Sequence, residues 1–294
     1  MKKSKVLALA LASLIALAGC ASAEPQPTNT DGKLQIVAST NVWGDIAEQV
    51  GGDLVEVTSI IDNASKDPRS YEATARDQLA VKNADLIVAN GGGYDDFIDT
   101  LAKAAGNENI IYATNSETAV DWTVNEHVWY SMAAVSQVAA AIGVELAKAD
   151  AENASVYGQN AVAFGEKIAA LTLEVQDLKT ITNGYTYFST EPLALWLLAD
   201  LGFKDLTPAD FSDAIENETD VSPLAMQDSL DLINSGQVKY LVINLQTENS
   251  QTQQIIDAAR DSEVRAVVLT EVLPEGTTYI QWMTANLKTL NPGT

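Results

Sequence analysis

From Leu34 onward the apolar residues alternate between two patterns. Short stretches rich in apolar residues at 34–39, 55–61, 86–89 and 110–113 read as strands. Between them, apolar positions recur three or four residues apart. Trp43, Ile46, Ala47 and Val50 mark a helix over residues 41–50, closed by Gly51-Gly52, and residues 74–84 and 94–105 give two more. Gly91-Gly92-Gly93 reads as a tight strand-to-helix turn. Strand alternating with helix predicts a parallel sheet with helices packed against it.

The middle of the chain is helical throughout. Residues 130–149 form one helix and residues 151–179 a longer one, with Val156, Ala163, Phe164, Ile168, Leu171 and Val175 at helical spacing. At 1.5 Å per residue it is a rod about 43 Å long, enough to join two units. Asn183-Gly184 ends it. The alternation then resumes, with strands at 185–189, 238–243 and 264–269 and helices at 192–201, 222–235, 250–259 and 279–290. The expected fold is therefore α/β with two lobes, each a mostly parallel sheet flanked by helices, joined by one long connecting helix. The lobes span residues 34–149 and 183–294, and the connector residues 150–182. Ligands of such sheets bind beyond the carboxyl ends of strands.

The first 33 residues follow neither pattern. Lys2, Lys3 and Lys5 precede an apolar run from Val6 to Ala18, which is a secretory leader in miniature and too short for a membrane span. Leu17-Ala18-Gly19-Cys20 resembles a bacterial lipobox. That resemblance implies a lipoprotein signal peptide over residues 1–19 and a lipid anchor on Cys20. Residues 20–33, rich in Ala, Pro, Thr and Asn, form a flexible tether. No later stretch is expected to cross a membrane. The protein then faces outward, in a periplasm or on a Gram-positive surface, held to the cell membrane by its lipid.

Composition narrows the partners. Seventeen basic residues face 40 acidic ones, for a net charge of −23, and loss of the leader lysines takes it to about −26. Such a body repels nucleic acid and attracts cations. Cys20 is the single cysteine and His127 the single histidine, so neither an internal disulfide nor a cysteine or histidine metal cluster can form.

Four polar segments stand at predicted strand ends or helix starts: Asp67-Pro68-Arg69-Ser70-Tyr71-Glu72, Asn125-Glu126-His127-Val128-Trp129, Ser189-Thr190-Glu191-Pro192 and Leu269-Thr270-Glu271. Taken singly each is weak; Glu191 before Pro192, for instance, would also serve as a helix-start acid. As a set, with Gly91-Gly92-Gly93-Tyr94-Asp95-Asp96, they resemble the zinc/manganese-binding lipoproteins of bacterial metal ABC importers over nearly the whole mature chain. The resemblance implies a divalent metal held between the lobes by one side chain from each of the four segments. His127 matches the second ligand, Glu191 the third and Glu271 the fourth. An imidazole suits zinc or manganese, and carboxylates favour manganese.

At the first position the family form Asp-Pro-His-x-Tyr-Glu-x-Thr is broken. Arg69 stands there, and a guanidinium cannot coordinate a cation. Either Arg69 swings outward and metal binds through three side chains and water, or the guanidinium pairs with Glu191 and Glu271 in the metal's place.

The expectation is a monomeric solute-binding lipoprotein that captures Zn2+ or Mn2+ as cargo, uses no organic cofactor, and delivers to an ABC permease and its ATPase. The alternatives are a degenerate relative with weak or no metal binding, acting as an adhesin, and a binder of a small anionic ligand anchored by Arg69. Enzyme readings lack support: no Gly-x-Ser-x-Gly occurs, no Gly-Lys-Ser/Thr follows the glycine turn, and no carboxylate spacing singles out a glycosidase pair. Trp122, Trp129, Trp196 and Trp282 are expected to pack cores and lobe edges rather than to line a sugar site.

Overall fold

Seven residues, two half-buried and then five buried, form β1 (Leu34–Thr40), and its last residue leads directly into helix α1, Asn41–Gly51. The computed structural model describes residues 32–114, 120–121 and 123–293. The leader, Cys20 and Trp122 lie outside the described residues, as does residues 21–31 of the tether. The first lobe continues with β2 (Val55–Ile61), α2 (Ala75–Asn83), β3 (Leu86–Ala89), α3 (Asp96–Ala105) and β4 (Ile110–Tyr112). Its four strands run parallel in the order β2-β1-β3-β4. Helix α2 buries only Val81. It is started instead by a capping box in which Thr74 and Asp77 satisfy each other's backbone N–H groups.

A 3-10 turn, Val128–Tyr130, leads into α4 (Met132–Ala149), and α5 (Ala154–Thr182) follows as the rod of 29 residues. Asn183 and Gly184 end the rod, Gly184 taking φ +85° and donating its N–H to the carbonyl of Gly202. By length and composition α4 is apolar enough to cross a membrane, contrary to the expectation from sequence. Here it lies against α1 and α5 and buries Val135, Val138, Ile142 and Leu146, the role of a core helix.

The second lobe comprises β5 (Thr186–Ser189), α6 (Leu195–Asp200), β6 (Lys204–Asp205), α7 (Ala209–Glu216), α8 (Pro223–Asn234), β7 (Tyr240–Asn244), α9 (Ser250–Asp261), β8 (Arg265–Leu269) and α10 (Tyr279–Leu290). Its strands are also parallel, in the order β6-β5-β7-β8. The two sheets thus have the same order, with the first strand of each lobe flanked by the second and third. β6 and α7 were not foreseen, and the helix expected over residues 192–201 begins only at Leu195.

One continuous apolar cluster runs through both lobes. It joins Ile36, Trp43 and Val88 to Phe164 and Leu171 of α5 and on to Val242, Val267 and Met283. Hydrogen bonds stitch the lobes together around it. Asn41 pairs with Leu273 through both amide atoms, Asp45 accepts from the N–H of Tyr279, and Tyr130 donates to the carbonyl of Thr270. Residues 33–294 form one compact unit.

Candidate metal centre

The carboxyl ends of the second sheet carry the acids. Glu191 follows β5 by two residues and Glu271 follows β8 by two, while the strand between them, β7, ends in Asn244. The Asn244 amide is therefore level with both, and its Nδ2 donates to Glu191 Oε2 and to Glu271 Oε1, each at 2.7 Å. The turn after β5 is held by Thr190, whose N–H bonds Val242 O and whose hydroxyl accepts from Asn244 N, and by the Ser189 hydroxyl on the carbonyl of Glu191. Thr247 Oγ1 adds a 2.6 Å bond to Glu191 Oε2. Across the cleft, Tyr94 Oη donates to Glu271 Oε2 at 2.9 Å.

Tyr94 is aimed by the glycine turn. Gly91 has φ +79°, and a Cβ there would meet Thr114 Oγ1 at 2.5 Å, so only glycine fits. The buried Asp95 carboxylate accepts from the N–H groups of Asn90 and Gly91, at 2.7 Å each, and fixes the loop.

His127 enters from the first lobe, wholly buried. Asn125 orients it: Asn125 Nδ2 donates to Pro192 O, leaving Oδ1 to accept from His127 N at 3.1 Å and Nδ1 at 3.2 Å. That network places the ring proton on Nδ1 and the Nε2 lone pair toward the acids. Burial, and then the charge of Arg69, hold the His127 pKa well below its usual value, so the ring is neutral. Trp129, Tyr94 and His127 pack together, ring centres 4.8 to 6.0 Å apart. Trp129 and Trp282 are core residues, and Trp196 donates to Asn125 O at the lobe edge.

The three residues singled out from sequence thus meet. One donor atom each from His127, Glu191 and Glu271 lie within 4.8 Å of one another, and His127 Nε2 is 3.6 Å from Glu191 Oε1. Donors about 2.1 Å from a shared zinc or similar ion stand roughly 3 to 4 Å apart, so the spacing suits a cation. Glu191 Oε1 is buried and has no hydrogen-bond partner among the described residues. Its charge is met instead by the Arg69 guanidinium, 3.7 Å away.

Arg69 also reaches this point, taking the second of the two courses expected from sequence, with Glu126 as a further partner. Its Nη2 donates to Glu126 Oε1 at 2.6 Å and lies 3.2 Å from His127 Nε2. Nη1 stands 3.7 Å from Glu191 and 3.9 Å from Glu271, in ion-pair range but beyond hydrogen bonding. Glu216, at the end of α7, is 3.7 Å from Nη2. Burial acts to lower the Arg69 pKa, but Glu271, Glu191 and Glu126 together raise it further, so it stays charged. Glu126, Glu216, Asn244, Thr247 and Tyr94 were not identified from sequence. Only Glu126, beside His127, and Tyr94, after the glycine turn, carried any signal.

Two carboxyls here hold protons unusually well. Burial, then the neighbouring Glu191 charge, pushes Glu271 up to about 7, and burial, then Glu126, pushes Glu216 up to about 7. Both values exceed the unfolded value of 4.5, so the stabilisation is complete below pH 4.5 and is lost as pH rises through 7. Asp95, raised by burial to about 6, acts in the same direction. His127, held neutral, works the opposite way as pH falls below about 6.5, so the comparison is between variants: from pH 7.5 to pH 5, chelator-treated wild type is expected to gain more, or lose less, unfolding temperature than chelator-treated Glu271→Gln. The same change in both proteins would refute this.

Against known proteins, residues 36–293 match the family model described as ZnuA, zinc-uptake complex component A, periplasmic. A manganese ABC transporter substrate-binding lipoprotein, scaA of Streptococcus gordonii, is 30% identical over 192 residues, which cover 60% of this chain and 61% of that protein. The chain thus spans about three-fifths of that relative's length. Among solved structures, the periplasmic zinc-binding protein TroA of Treponema pallidum superposes with TM-score 0.73 at 19% identity, covering 88% of this chain and 98% of its own. FpvC of Pseudomonas aeruginosa, solved with Mn2+, gives TM-score 0.72 at 22% identity over 88% of this chain and 97% of its own. At those identities the two structures establish the shared fold.

Proposed function

We propose, from the premise that the chain belongs to the ZnuA family of zinc-uptake components, that it is the extracytoplasmic metal-binding lipoprotein of an ABC importer. It captures a divalent cation in the cleft between its lobes and passes it to a permease driven by an ATPase. Its work is binding, without a chemical step. Residues 34–149 and 183–294 are the two lobes, residues 150–182 the connector, and Cys20 the lipid anchor that keeps the protein at the outer face of the membrane.

The ligands in this reading are His127, Glu191 and Glu271, with water completing the shell. The observation that carries it is the convergence of one donor atom each from His127, Glu191 and Glu271 within 4.8 Å, with Glu191 Oε1 buried and hydrogen-bonded to no described residue. The other carboxylate oxygens are held by Asn244, Thr247 and Tyr94, which fixes the acids for a cation. One imidazole nitrogen with carboxylate oxygens serves zinc and manganese alike, and the share of oxygen tilts the choice to manganese. The hydrogen bonds between lobes and their shared apolar core favour a small closing movement.

Elemental mass spectrometry on protein purified without chelator or metal-affinity resin tests this. About one manganese or zinc ion per chain is expected, with calorimetric binding of the same ion after stripping. Metal-free protein that shows no heat with either ion would overturn the reading.

A further inference from the structure

The cleft already holds a cation of its own. Arg69 stands where the family pattern has a histidine, and its guanidinium lies between two sets of acids. The inner set is Glu191 and Glu271, at 3.7 and 3.9 Å from Nη1. The outer set is Glu126, hydrogen-bonded at 2.6 Å, and Glu216 at 3.7 Å, both nearer the solvent. The backbone of Arg69 is pinned, since its N–H bonds Asp67 Oδ1 and the Ser70 hydroxyl bonds Asp67 Oδ2. Its side chain is the part free to shift, and it rests over the face of Tyr94, 5.1 Å from the ring centre.

We propose, building on the metal-binding reading above, that Arg69 is a tethered rival of the cargo, which it must clear by moving onto Glu126 and Glu216. The charges require this. With His127 neutral, the inner acids carry up to two negative charges, partly balanced by one guanidinium. A divalent ion between His127 Nε2 and Glu191 Oε1 would sit within a few ångströms of Arg69, and like charges that close repel strongly in a buried cleft. It would also take the Nε2 lone pair that the guanidinium now shares. Glu126 and Glu216 are then positioning residues: they touch no metal but hold the guanidinium away from it. Affinity becomes a difference between two cations competing for the same carboxylates. That difference gives a tightly built site a means of letting its cargo go.

The test is a double-mutant cycle on the full mature protein, titrated calorimetrically with Mn2+ and with Zn2+ at pH 8. Arg69→Ala is expected to bind tighter by about tenfold or more, because the rival is gone. Glu126→Gln is expected to bind more weakly by about tenfold, because the guanidinium loses its outer anchor and stays on Glu191 and Glu271. Adding Glu126→Gln to Arg69→Ala should change affinity by less than about twofold, a non-additivity that a merely structural role of Glu126 would not produce. Arg69→Met, which keeps the length of the side chain, replaces Arg69→Ala if the latter does not fold. Arg69→Ala that binds as wild type or more weakly, or Glu126→Gln with the same effect in both backgrounds, overturns the proposal. Absence of binding in every folded variant instead refutes the metal-binding reading itself.

Discussion

Glutamine in place of Glu191 is expected to weaken metal binding by at least about a hundredfold, beyond the 10- to 100-fold range typical of losing a partner that only orients a ligand. The change is nearly isosteric, so its effect isolates one atom. Glu191 Oε2 accepts from Asn244 Nδ2 and Thr247 Oγ1. An amide nitrogen at that position would face two donors, so the glutamine must keep its oxygen there and turn its NH2 into the place of Oε1. The position beside His127 Nε2 then offers N–H donors instead of a lone pair, and one negative charge is gone. Without metal the same substitution removes a buried carboxylate oxygen that has no hydrogen-bond partner among the described residues. It gives up the Arg69 ion pair but relieves the repulsion of Glu271, so the stripped variant should unfold within a few degrees of wild type. Loss of affinity with stability retained separates a lost ligand from a damaged fold. Calorimetry and thermal unfolding on one preparation read both, and affinity within tenfold of wild type would remove Glu191 from the ligand set.

How far the sequence announces this arrangement differs between elements for physical reasons. β2 and β3 match the predicted runs to the residue, β3 because a central strand of a covered parallel sheet is an unbroken apolar stretch, β2 because Val55, Val57, Ile60 and Ile61 give a β-branched run even at the sheet edge. α10 is equally legible, with Thr278 and Gln281 forming a capping box before its apolar stripe. β6, by contrast, has two exposed residues, Lys204 and Asp205, and its place is set by pairing with β5 rather than by its own composition. α7 is eight residues long and buries only Phe211 and Ile215, too few to establish a period. That gap explains why Glu216 was missed, since it ends a helix that the pattern does not reveal.

The site follows the same logic. His127, Glu191 and Glu271 are legible because ionisable groups at strand ends stand out against apolar runs, and the family pattern links them. Asn244 is not, for an asparagine at the end of β7 is an ordinary strand terminator. Its importance comes from strand order alone: with β7 between β5 and β8, one amide can hold both acids. Arg69 is legible as an exception to the pattern but not as a partner of Glu126, because that pairing spans 57 residues and depends on the loop geometry around Asp67.

Trp129→Ala carries the largest expected loss of stability. Trp129 is 1% exposed and sits in the turn between His127 and α4. Its ring packs on Tyr94 at 4.8 Å, His127 at 5.1 Å and Tyr130 at 6.3 Å, and Tyr130 continues to Trp282 at 5.3 Å. Its backbone carbonyl accepts the Tyr279 hydroxyl from the second lobe at 2.7 Å. Truncation therefore opens a cavity where side chains of both lobes converge. Such deletions cost about 3 to 5 kcal/mol, because the surroundings cannot close fully around the void. In a chain of this size that corresponds to a fall of roughly 10 °C in the unfolding midpoint. The same cavity frees Tyr94 and His127, which hold Glu271 and the nitrogen donor in place, so affinity should fall too, by about tenfold. Because metal binds only the folded form, saturating manganese should restore part of the lost midpoint. Trp196→Ala, at a partly buried residue whose ring N–H donates to Asn125 O, is the control and should cost less. A midpoint for Trp129→Ala within about 3 °C of wild type would show that the aromatic cluster does not join site to core, since even 1 kcal/mol moves a chain of this size by about 2 to 4 °C.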